Sequence, residues 1–183
     1  MDDEIDSVLQ KLTLEEKASL CSGGGFFSLK GIGRLGIESA SMFDGPHGLR
    51  KQADGEDNLG IHASKRATCF PTEATVACSW DPGLLREIGR ALAEECLAED
   101  VAVLLGPGVN IKRSPLCGRN FEYYSEDPYL AGELASAFID GVQSKGVGAS
   151  VKHFAANNVE RLRATIDVAL DERRIDRGLH PLR

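Results

Sequence analysis

An α/β fold of βαβ units around a parallel sheet is predicted by three features of the sequence. Short apolar runs alternate with longer segments of helical periodicity. Asp81-Pro82 and Asp127-Pro128 each supply a capping carboxylate followed by proline at the first helical position. Polar clusters stand directly after three of the apolar runs, at the carboxyl ends of strands, where α/β folds place their sites.

Taken in order, Ile5, Val8, Leu9 and Leu12 recur at helical spacing, and Thr13 to Glu16 has the capping-box pattern that opens a second helix. That helix runs out at Ser22-Gly23-Gly24-Gly25, read as a loop, because a phosphate cradle needs a preceding strand and a Lys-Ser/Thr pair. Ser39 to Phe43 is expected as the first strand, ended by the turn signal Asp44-Gly45-Pro46. Lys51 to Arg66 is polar and reads as a long surface excursion. Thr75 to Ser79 is expected as the second strand. The helix opened by Pro82 places Leu84, Leu85, Ile88, Leu92 and Cys96 on one face and ends near Asp100. Val101 to Leu105 is apolar throughout, as parallel strands covered on both faces tend to be, and gives the third strand. A helix from Pro128 carries the stripe Leu130, Leu134, Phe138 and Val142 and stops at Gly146. Gly148 to Phe154 gives the fourth strand. Beyond it, Thr165 to Leu170 alternates as a strand candidate, and Asp171 to Arg174 opens a helix or turn.

With 183 residues, 42% of them hydrophobic, the chain can bury one sizeable core, so residues 1–183 are read as a single domain. A net charge of −7 argues against nucleic acid or an anionic membrane as partner, while leaving neutral substrates open. No apolar run approaches the roughly 20 residues of a membrane span. The start, MDDEIDSV, has neither the basic nor the apolar region of a leader, which makes a cytoplasmic address the expectation. Five cysteines without a CxxC pair indicate neither a disulfide framework nor a zinc site, and the thiols are expected to be reduced and mostly buried. No metal or cofactor is expected.

The chemistry concentrates in KRSPLCGRNFEYYSEDP (Lys112 to Pro128), where cationic, acidic, aromatic and thiol side chains crowd a segment of little periodicity. It leaves the carboxyl end of the Val101 to Leu105 run. Lys152-His153-Phe154 ends another such run and Asp44-Gly45-Pro46-His47-Gly48 a third. Asp127 reads as a helix cap, Tyr123 and Tyr124 as packing residues with wet hydroxyls, and Trp80 as a packing residue before a cap. Glu122 is placed to orient Arg119. An internal ion-pair network that stabilises strand ends is the bland alternative for these charged groups.

Three of these stretches, FDGPHGLR (Phe43 to Arg50), CGRNFEYYSEDPYLAG (Cys117 to Gly132) and VKHFAANNVE (Val151 to Glu160), resemble signature motifs of the N-terminal domain of glycoside hydrolase family 3, in that order. The resemblance spans nearly the whole chain. It implies a (β/α)₈ barrel, and since such a barrel typically takes about 250 residues, a partial one of about the first four βα units is expected. By match of position, it implies that Asp44, Arg119, Lys152 and His153 hold the sugar next to the scissile bond, with a β-linked glycoside as partner. The residue types suit that role: Asp44 accepts, Arg119 and Lys152 donate, and His153 does either according to tautomer.

The resemblance further implies an Asp nucleophile beyond a later strand and an acid/base Glu in a following domain. From Ile175 to Arg183 the sequence departs from the family pattern and contains neither segment. The chain is therefore read as a truncated, β-glucosidase-like fragment without catalytic residues, inactive alone, with self-association through open barrel edges expected. Lys152-His153-Phe154-Ala155-Ala156-Asn157-Asn158 differs from the KHFPGHG-type motif of the N-acetylglucosaminidase-like branch, which favours the β-glucosidase-like one. A β-xylosidase or related exo-glycosidase, a non-catalytic sugar-binding module and, on its glycines alone, a nucleotide-binding domain stay open as alternatives.

Overall fold

In the computed structural model, which describes residues 2–53 and 63–171, the elements are α1 (Asp2–Lys11), α2 (Leu14–Leu20), β1 (Met42–Asp44), α3 (Glu73–Val76), α4 (Pro82–Ala98), β2 (Val103–Leu105), α5 (Pro128–Gln143) and β3 (Gly148–Ala149). Single 3₁₀ turns lie at Gly33–Leu35, Ala77–Ser79 and Asn120–Glu122. The strands form one parallel sheet in the order β1-β2-β3, with Met42 opposite Val103, Asp44 opposite Leu105, and Val103 opposite Gly148. Parallel neighbours need helical crossovers: α3 and α4 return the chain from β1 to β2, and α5 from β2 to β3.

The caps form as the sequence predicts. Asp81 Oδ1 accepts from the Gly83 N–H at 2.8 Å and Asp127 Oδ1 from the Tyr129 N–H at 3.0 Å. At the start of α2, the Thr13 hydroxyl accepts from the Glu16 N–H at 3.2 Å while Glu16 Oε2 accepts from the Thr13 N–H at 2.9 Å. Helices α4 and α5 cover one face of the sheet, and Leu92, Cys96, Leu104, Leu134, Phe138 and Val142 are buried between them.

The two helices approach backbone to backbone at Gly89 and Gly141. A Cβ on Gly89 would stand 2.3 Å from the Phe138 carbonyl oxygen, and one on Gly141 2.2 Å from that of Arg86. Neither contact is with a side chain that can swing away. Gly89→Ala or Gly141→Ala is expected to destabilise the fold by at least the ~1–3 kcal/mol usual for overpacking. A lower urea midpoint at unchanged m-value checks this, and an unchanged midpoint contradicts it.

The structure corrects several expectations. Thr75 to Ser79 is no strand: α3 and a 3₁₀ turn occupy it, with the Thr72 carbonyl accepting from the N–H groups of Thr75 and Val76, both at 2.9 Å. Direct pairing of β1 with β2 leaves no slot for a strand between them. Three strands, not four, are present among the described residues. Of Gly148 to Phe154, only Gly148–Ala149 is strand. Pro107 has no N–H to continue the ladder, which resumes as a single parallel bridge between Gly108 and Lys152. Thr165 to Leu170 pairs with nothing among the described residues, and a turn closes there on the Leu162 carbonyl, which accepts from the Thr165 N–H at 2.8 Å. Most of Asp171 to Arg174, with His62 and His180, lies outside the described residues. Only Cys96 and Cys117 are buried, whereas Cys21, Cys69 and Cys78 are exposed. Trp80 does not pack but stands 72% exposed. Among the described residues, no helix is long and apolar enough to cross a membrane.

Candidate functional site

The carboxyl ends of all three strands open into one cleft. Asp44 ends β1, Leu105 ends β2 and Ser150 follows β3; together with Arg119, Lys152, His153 and Arg163 they line a depression of about 390 Å³. The predicted residues Asp44, Arg119, Lys152 and His153 are thus brought together at one pole of the sheet. A second depression of about 330 Å³ shares Asp44, Arg119 and Lys152 as its wall and extends over His47, Arg50, Phe121 and Glu122.

The charged groups of the first depression, Asp44, Arg119, Lys152 and Arg163, each have a counter-charge. Lys152 Nζ lies 3.3 Å from Asp44 Oδ1 and 3.5 Å from Glu122 Oε2. The Arg119 guanidinium donates from Nε to Glu122 Oε1, and its Nη1 lies 3.5 Å from Glu160 Oε1. Glu122 therefore sits between two cations with only 6% of its side chain exposed, and the expected orientation of Arg119 by Glu122 is what the structure shows. Asp44, by contrast, presents 47% of its side chain to the cleft.

The state of His153 follows from its neighbours. Arg119 Nη2 can only donate, so His153 Nε2, 2.8 Å away, must be the accepting nitrogen. The ring proton is then on Nδ1 and points to Tyr123 Oη at 3.0 Å. Tyr123 also accepts from Asn157 Nδ2 at 3.0 Å and donates to the Asn157 carbonyl at 3.2 Å. Burial, and then the charges of Arg119 and Lys152, push the His153 pKa down to about 4, so the ring is neutral near pH 7. Asn110, almost wholly buried, fixes the main chain there: its Oδ1 accepts from the His153 N–H at 2.9 Å and its Nδ2 donates to the His153 carbonyl at 3.2 Å.

Sequence reasoning missed several members of this cluster. Arg163 and Glu160 lie in a charged segment with no periodicity to place it. Asn110 carried a usable signal, a lone amide between Val109 and Ile111 in an otherwise apolar run. Tyr123 and Tyr124 do pack, at 1% and 3% exposure, but their hydroxyls are not wet: that of Tyr123 is bound as described, and that of Tyr124 is buried near the Glu73 carboxyl without a well-formed hydrogen bond. Among the described residues no group of three or more His, Cys, Asp and Glu side chains could hold a metal ion.

The sequence and the fold both resemble those of known proteins. Residues 48–177 match the glycosyl hydrolase family 3 N-terminal domain. The thermostable beta-glucosidase B of Acetivibrio thermocellus is 60% identical over 170 residues, which span 93% of this chain and 22% of that protein. An exo-alpha-(1->6)-L-arabinopyranosidase of Bifidobacterium longum is 55% identical over 166 residues, 90% of this chain and 22% of that protein. Among solved structures, the beta-glucosidase 3B of Thermotoga neapolitana in complex with alpha-D-glucose superposes with a TM-score of 0.87 at 41% identity, covering 98% of this chain and 27% of that one. The chain thus spans between a fifth and a third of the length of these relatives. Its three parallel strands and outer helices are part of a (β/α)₈ barrel. From that match, the chain belongs to glycosyl hydrolase family 3, within the family's N-terminal domain.

Proposed function

We propose that this chain forms the sugar-holding wall of a β-glucosidase-like glycoside hydrolase acting on terminal β-linked sugars. The observation that carries the reading is the convergence of Asp44, Arg119, Lys152 and His153 on one cleft at the carboxyl pole of the sheet. A pyranose ring presents hydroxyls that both donate and accept. The half-exposed Asp44 carboxylate supplies acceptors, and Lys152, Arg119 and Arg163 supply donors. Such a site discriminates strongly, because an analogue lacking one hydroxyl leaves a buried polar group unpaired.

Retaining hydrolysis needs two carboxyl groups about 5–5.5 Å apart, one to attack the anomeric carbon and one to protonate the leaving oxygen. The carboxylates Asp44, Glu122 and Glu160 are each already engaged as partners of Lys152 or Arg119. The nucleophile and the acid are therefore assigned to none of the described residues, and the chain alone is expected to hydrolyse no aryl β-glucoside at an enzymatic rate.

Glucose binding measured by calorimetry tests the reading. Asp44→Ala is expected to weaken it by about 1–3 kcal/mol by leaving a sugar hydroxyl without its acceptor and Lys152 with Glu122 alone. An unchanged affinity in a folded variant contradicts the role. A second reading, a pentopyranoside in place of glucose, is supported by the 55% identity to an arabinopyranosidase. Tighter binding of arabinose or xylose than of glucose selects it.

A further inference from the structure

Glu73 is buried to 2% exposure in α3 and lines neither depression, yet it is hydrogen-bonded to Gly108, the glycine that lies between the main chains of Lys152 and Glu122. Both of its carboxyl oxygens accept from the Gly108 N–H, at 3.0 and 3.2 Å. The neighbours of Gly108 clamp the Lys152 main chain from both sides: the Lys152 N–H donates to the Pro107 carbonyl at 3.0 Å, and the Val109 N–H to the Lys152 carbonyl at 2.8 Å. On its other flank Gly108 is pressed against the Glu122 main chain, where an added Cβ would stand 2.2 Å from the Glu122 carbonyl oxygen and 2.9 Å from Glu73 Oε2. Lys152 and Glu122, held on either side of this glycine, then meet by their side chains at 3.5 Å.

We propose that Glu73 is a positioning residue of the cleft: by holding the Gly108 N–H it sets the place of Lys152 relative to Glu122, and so the spacing of the groups that meet the sugar. What the cleft holds rests on the sugar-binding reading above; the positioning itself does not. A carboxyl group with a purely packing role needs no main-chain partner in the site loop, and a leucine would serve as well.

The groups facing Glu73 are His47, whose Nε2 is 3.9 Å away, Glu122 from the 3₁₀ turn, Tyr124 after it, and Lys112 from the loop beyond β2. Burial raises the Glu73 pKa to about 7, so the carboxyl titrates in an accessible range and its contact can be followed directly.

The experiment uses the whole chain. The Gly108 amide resonance is followed by NMR through neutral pH in wild type and Glu73→Gln, and glucose affinity per folded molecule is measured for both and for Glu73→Leu. The Gly108 amide is expected to shift with a midpoint near 7 in wild type and to show no such step in Glu73→Gln. Glu73→Gln, which keeps an acceptor, should bind glucose within about twofold of wild type, and Glu73→Leu about tenfold or more weaker. A Gly108 amide indifferent to pH, or a folded Glu73→Leu that binds as wild type does, overturns the proposal. If wild type binds no glucose, the sugar-binding reading fails, and the Gly108 titration still decides the positioning. The same titration decides it if Glu73→Leu fails to fold.

Discussion

Glu122→Gln is expected to be the most damaging single change in the cleft, lowering the free energy of unfolding by about 3–5 kcal/mol. The side chain keeps its shape but loses its charge, while Arg119 and Lys152, at 19% and 15% side-chain exposure, keep theirs. Removing one partner of a largely buried ion pair leaves an uncompensated charge, which costs far more than the pair itself contributes. Asp44 and Glu160 still face the two cations, so the low end of the range is expected. Urea unfolding measures the change, and a loss below about 1 kcal/mol would show that the cleft relaxes to let water reach both cations.

The second large effect lies in the pH dependence of stability, where the buried Glu73 and the half-buried His153 work against each other. Burial raises Glu73 from 4.5 to about 7. Between those values the folded chain holds a proton that the unfolded chain has lost, so stability falls as pH rises. Burial, with Arg119 and Lys152, lowers His153 from 6.5 to about 4. Between those values the unfolded chain holds the extra proton, and stability rises with pH. The windows overlap from about 4.5 to 6.5, where the two slopes oppose each other. Glu73→Gln removes the first and leaves the second. Its unfolding free energy should therefore climb more steeply through that range than that of wild type, by up to about 3 kcal/mol, the equivalent of roughly two pK units. Parallel curves for the two proteins would mean that Glu73 does not titrate in the folded state.

What could be read from the sequence was what short-range chemistry decides. The pairs Asp81-Pro82 and Asp127-Pro128 set both long helices, and of the stripe Leu130, Leu134, Phe138 and Val142 the last three are buried in α5 while Leu130 is half-buried. Asp44 and Lys152-His153 were legible because polar residues directly after apolar runs fall at strand ends, and Arg119 because its loop follows such a run. The failures came from tertiary choices. Thr75 and Val76 are β-branched and fit a strand, but the neighbouring place beside β1 is taken by β2, and Thr72 supplies a local helix cap instead. Glu160 and Arg163 reach the cleft only because the chain turns back after His153, a path no periodicity encodes. The link from Glu73 to Gly108 joins residues 35 positions apart and leaves no mark on either local pattern.

The glycine contact behind the sheet bears on how this cleft can be re-engineered. Helix α4 feeds β2, from whose end the Gly106 to Asp127 loop departs; α5 carries the chain out of that loop to β3, beyond which Lys152 and His153 lie. Because Gly89 and Gly141 admit one depth of approach between these helices, the two arms of the cleft are indexed to each other from the far side of the sheet. Saturating His47, Phe121 or Arg163 can therefore explore new ligands without losing alignment, whereas a library that also varies the helix crossing would scramble every mouth it creates.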